Sequence, residues 1–469
     1  MLKPLAAATS ALLLLVACGG GDDDSGDSGG SGDGDGGGDL ADCPVDALDD
    51  ATAPVEISFW HPMVRANEEA LIALTDAYNA SQDEVEVSLV NNTTYDDQQD
   101  KYRAGLTSGD LPDVSMQQDI YLQQLIDTQT VLPAQSCIDA TSNFPTDDFT
   151  ARTLEYYQVG DVQWGLPFNV SNPVFYYDKA AFRAADLDPE APPATFDDVR
   201  AAAEAITASG YPAGFGLKVD SWYFEQLVAL QGGELVDNGN GRDDRASAAT
   251  FDSEAGAAVF DFFGAMVADG LATPSPREGP SEFDNLLGIA NGQHAMTFDT
   301  SAALGTIVEL LASGQYTNVD LGVAPLPKGD PDAEGGIVVG GAALYISATE
   351  PAKQAAAWDF MQYLTTPESQ SQWAAATGYI PVRASATELP EITARWAEVP
   401  GFRVAYDQLV DGADTTATNG GVIGDFEGVR AAIEDAEDTM FLDGGSPDAA
   451  VADAATAASA AMEAYNTRL

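Results

Sequence analysis

The stretch that most limits how this chain can fold is Leu166-Pro167-Phe168-Asn169-Val170-Ser171-Asn172-Pro173-Val174-Phe175-Tyr176-Tyr177-Asp178-Lys179. Two apolar runs flank a polar knot from Asn169 to Asn172. Pro173 biases Asn172 towards extended backbone, because the proline ring clashes with a helical predecessor. The pattern predicts strand, crossing, strand: the chain leaves one sheet, passes a polar gap and enters another. A single buried strand preceded by a turn is the alternative reading of the same residues. A crossing demands two cores, and 469 residues with 45% hydrophobic content are enough to fill both.

The neighbouring segments supply the sheets. Val55-Glu56-Ile57-Ser58-Phe59-Trp60 alternates like a half-buried strand, and His61-Pro62 ends it. Leu71, Leu74 and Tyr78 then repeat at helical spacing, and Val85, Val87 and Leu89 at period two. Strand, helix, strand is the unit of an open α/β sheet. A second unit runs from a helix between Tyr95 and Leu106 into Pro112-Asp113-Val114-Ser115-Met116. Ligands of such sheets bind at the carboxyl ends of strands. That rule places Trp60, His61, Tyr95, Asp96, Gln118 and Asp119 beside any ligand.

Beyond the crossing, Phe196 to Ile206 reads as a helix capped by Thr195 ahead of Asp197 and Asp198, and Phe215 to Lys218 as a short strand leading to Trp222. Ala295 to Phe298 is a strand that ends in polar residues before a helix from Leu304 to Leu311, so Gly292 to Ser301 is expected to begin a second crossing. Ile337 to Ile346 is a third strand of this kind. The run Asp237 to Asp244 has the composition of a calcium loop but not its spacing, since no register gives oxygens at positions one, three and five with Gly at six. A Gly/Asn turn between strand ends, with Arg242 and Arg245 among the acids, is predicted instead.

Charge narrows the function classes. Nineteen basic residues against 75 acidic ones give a net charge of −56, which repels nucleic acid and anionic membrane surfaces. Only eleven of the acids fall between residues 19 and 50, so the acidity belongs to the folded surface as well. A solvated coat of this size repels itself at low ionic strength and predicts a salt-adapted protein. At the N-terminus, Lys3 precedes an apolar run from Leu5 to Ala17 that is too short to span a bilayer and reads as a secretory signal over residues 1–17. Leu15-Val16-Ala17-Cys18 resembles the lipoprotein processing box, which implies lipidation of Cys18 and anchoring to the outer face of the cell membrane. Residues 18–50 then form an acidic Gly/Asp/Ser tether. In an exported chain the two remaining cysteines, Cys43 and Cys137, are expected to pair; two separate buried thiols are the alternative.

Leu-Pro-Phe-Asn followed after two residues by Pro-Val-Phe-Tyr-Tyr-Asp-Lys closely resembles the first crossing strand of the bacterial solute-binding proteins that feed ABC importers, in particular the glycerol-3-phosphate-binding branch. Phe59-Trp60-His61, Ala295-Met296-Thr297, Gly340-Gly341-Ala342 and Thr377-Gly378-Tyr379-Ile380-Pro381-Val382 resemble the family in the same order, between residues 55 and 435. The resemblance implies a two-lobed α/β fold, each lobe an open, mostly parallel sheet flanked by helices, with three hinge crossings. Lobe 1 is expected over residues 51–169 and 297–347, and lobe 2 over 170–296 and 348–469. It implies a monomer that closes on a small solute and hands it to a membrane permease, with no cofactor and no metal.

Carried over residue by residue, the resemblance implies ligand contacts from Tyr95, Asp96, Asp119, Ser171, Trp222, Ser301, Gly340, Gly341 and Tyr379. One departure bears on ligand class. The glycerol-3-phosphate branch carries a phosphate-gripping Arg in a Gly-Leu-Arg-Leu-Gly loop, and this chain reads Gly420-Gly421-Val422-Ile423-Gly424. Valine offers nothing to a phosphate; Lys218 or Arg383 are the substitutes to consider. A sugar or oligosaccharide is therefore expected, with glycerol 3-phosphate or a glycerophosphodiester as the alternative. A secreted glycoside hydrolase is the rival class, since it needs only two suitably spaced carboxylates. The chain has two histidines, His61 and His294, and no Gly-x-Ser-x-Gly, His-Glu-x-x-His or phosphate-loop motif.

Overall fold

A computed structural model describes residues 40–49, 51–275, 277, 284–316 and 318–469. The expected signal peptide, Cys18 and nearly all of the acidic tether lie outside the described residues. Two five-stranded sheets organise the rest. The first runs, in spatial order, Val85–Asn91, Val55–His61, Val114–Gln118, Gly340–Ile346, Leu166–Ser171; the second runs Leu321–Ala324, Pro173–Asp178, Met296–Thr300, Phe215–Lys218, Ala272–Ser275. The polar knot is thus a crossing: Leu166–Ser171 ends the first sheet, Asn172 is the connector, and Pro173–Asp178 enters the second. All twelve residues of the two strands are buried, as expected for strands covered on both faces. Asn172 survives burial because its amide donates to the Ala405 carbonyl at 2.9 Å and accepts from Gln408 at 2.6 Å.

Each sheet is mixed, with two parallel and two antiparallel pairings, rather than mostly parallel. The antiparallel pairings all involve a strand at a crossing, which enters its sheet from the other one and so runs against the βαβ direction. Facing Leu166–Ser171, strand Gly340–Ile346 carries a register shift between Ala342 and Ala343. Two residues make that shift tolerable. Pro167 has no N–H to contribute to the ladder, and Gly341 takes φ 95°, where a Cβ would stand 2.0 Å from the Asn169 carbonyl oxygen.

The lobe boundaries differ from expectation. Residues 297–300 of strand Met296–Thr300, and strand Leu321–Ala324, placed in lobe 1 by the sequence, pair with Pro173–Asp178 in the second sheet. Helices Pro351–Leu364 and Pro367–Thr377, placed in lobe 2, pack on strand Val55–His61 and helix Arg65–Ser81 of the first. The chain does leave the second sheet after Thr300, but only as helix Leu304–Ala312, which lies against Arg65–Ser81 and Pro367–Thr377 before the chain returns as Leu321–Ala324. The passage back to the first sheet comes later, over residues 325–339.

Local chemistry sets the element ends. Thr195 accepts from the Asp198 amide at 3.1 Å while Asp198 accepts from the Thr195 amide at 3.0 Å, a capping box that starts Phe196–Ala208. At Asp237–Gly241 the backbone makes a left-handed turn through Asn238, Gly239 and Asn240, residue types that tolerate positive φ. Arg242 does not remain among the acids there: its guanidinium bonds the carbonyls of Glu155, Tyr156, Gln158, Asn419 and Gly420. A disulfide joins Cys43 to Cys137 across 94 residues. Among the described residues no helix is long and apolar enough to cross a membrane.

Candidate functional site

The carboxyl ends of strands from both sheets converge on one cleft of about 280 Å³. From the first sheet come Pro62 and Met63 after Val55–His61, Tyr95 at the start of its helix, and Gln118 and Asp119 after Val114–Gln118. From the second come Lys218, Asp220 and Trp222 after Phe215–Lys218, and Asp299 and Thr300 at the end of Met296–Thr300. Ser171, Gly341, Tyr379 and Arg430 also line it. Six of the nine residues expected at the ligand line this cleft: Tyr95, Asp119, Ser171, Trp222, Gly341 and Tyr379.

Gly340 stands one layer behind. A Cβ on it would lie 2.7 Å from Trp222 Cζ2, so the bare backbone is what lets the indole come this close to the strand. Asp96 and Ser301 do not reach the cleft. Asp96 follows Tyr95 on the same helix, about 100° round its axis, and only Tyr95 can face inward; the Asp96 carboxylate is exposed and accepts from the Tyr121 hydroxyl at 3.4 Å. Ser301 is tied by its own amide to the Asn172 carbonyl at 2.9 Å, and its hydroxyl is buried away from the cavity. Of the residues placed near a ligand by the strand-end rule, Trp60 and His61 are buried beneath the cleft wall. Lys101 covers the Trp60 ring at 3.7 Å. His61 Nδ1 accepts from the Met63 amide at 3.2 Å, and burial lowers its pKa to about 4, so it is neutral and structural.

The cleft side chains are held firmly. Asn169 donates to the Tyr95 hydroxyl at 2.8 Å. The Tyr379 ring stacks on Trp373 at 5.3 Å, and Trp373 on Phe168 at 4.9 Å, so the aromatic wall is anchored to the crossing strand itself. Burial pushes the Asp119 carboxyl up to about 6, although nearby Arg430 and the Tyr156 hydroxyl, donating at 3.3 Å, both favour the charged form.

Two cations face the cleft, and each already has a carboxylate. Lys218 lies 3.0 Å from Asp220. The Arg430 fork is bidentate on Glu225, at 2.7 and 2.8 Å. Arg430 was invisible to the sequence reading: it lies on helix Phe426–Asp443, and no local motif marks it. Val422, the position matched to the phosphate-gripping Arg, is buried outside the cleft with its amide donating to the Asn240 carbonyl at 2.8 Å. Arg383 is no substitute either, because it is buried against Asp148 at 2.7 Å, away from the cavity. Among the described residues no group of three or more His, Cys, Asp or Glu is placed to hold a metal ion.

Comparison with known proteins agrees with this architecture. The sequence matches the bacterial extracellular solute-binding protein family over residues 73–401. It is 26% identical over 413 residues to the sn-glycerol-3-phosphate-binding periplasmic protein of Yersinia pestis bv. Antiqua (strain Antiqua), covering 86% of this chain and 91% of that one. Among solved structures, UgpB from Mycobacterium tuberculosis in complex with glycerophosphocholine superposes with a TM-score of 0.74 at 22% identity, over 88% of this chain and 99% of that one. The cyclic alpha-maltosyl-1,6-maltose binding protein from Arthrobacter globiformis gives 0.72 at 23%, over 88% and 100%. Crossing strand, two sheets and a cleft at their strand ends therefore have a shared origin: the chain belongs to the bacterial extracellular solute-binding proteins.

Proposed function

We propose that the protein captures a sugar or oligosaccharide outside the cytoplasm and passes it to the permease of an ABC importer, held at the membrane by a lipid on Cys18. The observation that carries the reading is the composition of the cleft wall. Sugars present hydroxyls and apolar C–H faces, and Trp222, Tyr95 and Tyr379 offer aromatic faces beside Asp119, Gln118, Ser171 and Thr300 as hydrogen-bonding groups. A solute touching both sheets favours the closed arrangement by its differential affinity for it, with no covalent step. Glycerol 3-phosphate is the second reading, supported by the names of the relatives. Against it, both cleft cations are already paired with carboxylates.

Trp222→Ala tests the site. The side chain is half-buried; if roughly 100 Å² of it meets the solute, its loss costs about 2.5 kcal/mol, or roughly 70-fold in affinity. A calorimetric screen of neutral oligosaccharides and glycerophosphodiesters supplies the solute, and chromatography of the recovered solute separates a binder from a hydrolase. Unchanged affinity in Trp222→Ala, with a melting temperature lowered as for a core truncation, would refute the assignment of the indole to the solute.

A further inference from the structure

We propose that Glu225 decides the class of solute this cleft accepts: its carboxylate fills the fork of Arg430 as a resident anion, so that neutral solutes are taken and phosphorylated ones refused. The inference rests on the carbohydrate reading above and supplies its cause. Arg430 is a cation on the cleft wall, and a planar guanidinium there is shaped to grip a phosphate or carboxylate through two parallel N–H bonds. Those two bonds are already made. Nε donates to Glu225 at 2.7 Å and Nη2 at 2.8 Å, which leaves Nη1 as the one nitrogen not committed to that carboxylate. The charge behind Nη1 is balanced by Glu225, so a phosphate arriving there would meet an ion pair and not a free cation. Because Glu225 is held in place by the fold, it competes at a high effective concentration that a dilute free anion does not match.

The placement of the pair argues for selection and not only for stability. A buried ion pair adds little net stability over apolar side chains of the same volume, because both ions lose their hydration. Here the pair stands at the boundary of the cavity, with the Arg430 side chain 14% exposed and that of Glu225 7% exposed. Glu225 follows Trp222 by three residues on helix Ser221–Leu230, which puts the two on one face of it. The cleft is lined by Trp222 and Arg430 but not by Glu225, which lines a second, smaller cavity shared with the indole, with room for about one water. A solute in the cleft therefore meets the guanidinium from one side while the carboxylate holds it from the other. Asp119 and Asp220 also favour the charged guanidinium, yet neither forms an ion pair with it among the described residues, so removal of the Glu225 charge frees both bonds of the fork. A specificity device of this kind works by repulsion: the resident charge costs nothing to a neutral solute and excludes an anionic one.

Removing the resident charge while keeping its shape is the test. Glycerol 3-phosphate and inorganic phosphate are titrated calorimetrically, at low salt, into the wild type, Glu225→Gln and the double variant Glu225→Gln/Arg430→Gln. Glu225→Gln is expected to bind glycerol 3-phosphate at least about tenfold more tightly than the wild type, through a charge-assisted pair with the released guanidinium. The gain should vanish in the double variant and shrink as salt is raised, because screening weakens the charge contribution. Added phosphate should also raise the melting temperature of Glu225→Gln more than that of the wild type, since only the variant binds it. A purely structural pair gives a different result: Glu225→Gln melts lower and its affinity for glycerol 3-phosphate is unchanged, which would overturn this inference and leave the carbohydrate reading standing. Glu225→Ser opens the same fork if the glutamine variant does not fold. The wild type is a test by itself, because it is expected to show no preference for glycerol 3-phosphate over glycerol, and such a preference would overturn the inference without any variant. Wild type binding glycerol 3-phosphate more tightly than every neutral sugar would overturn both readings.

Discussion

Asp119 offers a measurement in which the cleft reports on itself without any solute. Burial pushes its carboxyl up to about 6, whereas the same group in an unfolded chain ionises near about 3.9. The folded state therefore binds this proton more tightly than the unfolded state. The corresponding stability is fully present below the unfolded value and is lost as pH rises through the folded one. A gap of roughly two units corresponds to about 3 kcal/mol. Other acids are shifted as well. Burial raises Glu225 and Glu437, whereas Asp148, Asp220 and Asp237 are held low by their partners against burial. The wild-type curve alone therefore cannot isolate Asp119; the difference between wild type and Asp119→Asn can. The asparagine keeps an oxygen for the Tyr156 hydroxyl and removes only the titration. Urea denaturation followed by circular dichroism should show the stability of wild type falling relative to the variant by about 3 kcal/mol between about pH 4 and about pH 7. A difference that is flat, or that rises with pH, would show that Asp119 is not desolvated in solution and would remove the electrostatic account of the cleft.

Loss of the Cys43–Cys137 bridge, by reduction or by paired serine substitution, should lower stability by about 4 kcal/mol in the chain-entropy account of a loop this long, less any residual structure in the unfolded chain. Non-reduced peptide mass spectrometry checks the bond, and two alkylatable thiols in the native protein would contradict it. The melting temperature should rise as salt is added towards about 1 M, where the screening length falls to about 3 Å; a flat response would end the case for salt adaptation.

How much of this was legible in the sequence depends on whether a feature is local. The crossing at Asn169 to Asn172 was legible because proline, buried aromatics and a polar knot act on their immediate neighbours. Tyr95, Gln118 and Asp119 were legible because strand ends can be found from periodicity and ligands gather there, whereas Trp222 came from the family resemblance alone. The failures are tertiary. Asp96 looked equivalent to Tyr95, but one helical step turns it to solvent. Nothing in Gly292 to Ser301 distinguishes a crossing between sheets from an excursion of one helix, so the lobe boundaries were misplaced. The loop around Val422 holds no guanidinium, and the one that lines the cleft, Arg430, comes from the following helix, a placement that only packing reveals. Asp299 carries no local mark of its place in the cleft, since an acid among 75 carries little information by itself.

The scarcity of cations gives the arrangement its logic. With 19 basic residues in the chain, two arginines serve backbone carbonyls instead of carboxylates. Arg152 donates to the carbonyls of Ile337, Leu409, Ala413 and Thr418, and Arg242 to five more between Glu155 and Gly420; neither forms an ion pair among the described residues. These carbonyls belong largely to irregular connections, where no ladder satisfies them and each unpaired buried oxygen would cost about 1 to 3 kcal/mol. A planar guanidinium has fixed donor directions, so the segments that meet on it are held in one relative geometry. Ile337 lies three residues before Gly340, and Gly420 six before Phe426, the first residue of the helix that carries Arg430. The two staples thus fix the approach to the cleft of Gly340, behind Trp222, with Gly341 beside it on the wall, and of the helix that brings Arg430 to the cleft. Cations committed in this way cannot neutralise the surface. The excess of solvated carboxylates is left to be screened by salt.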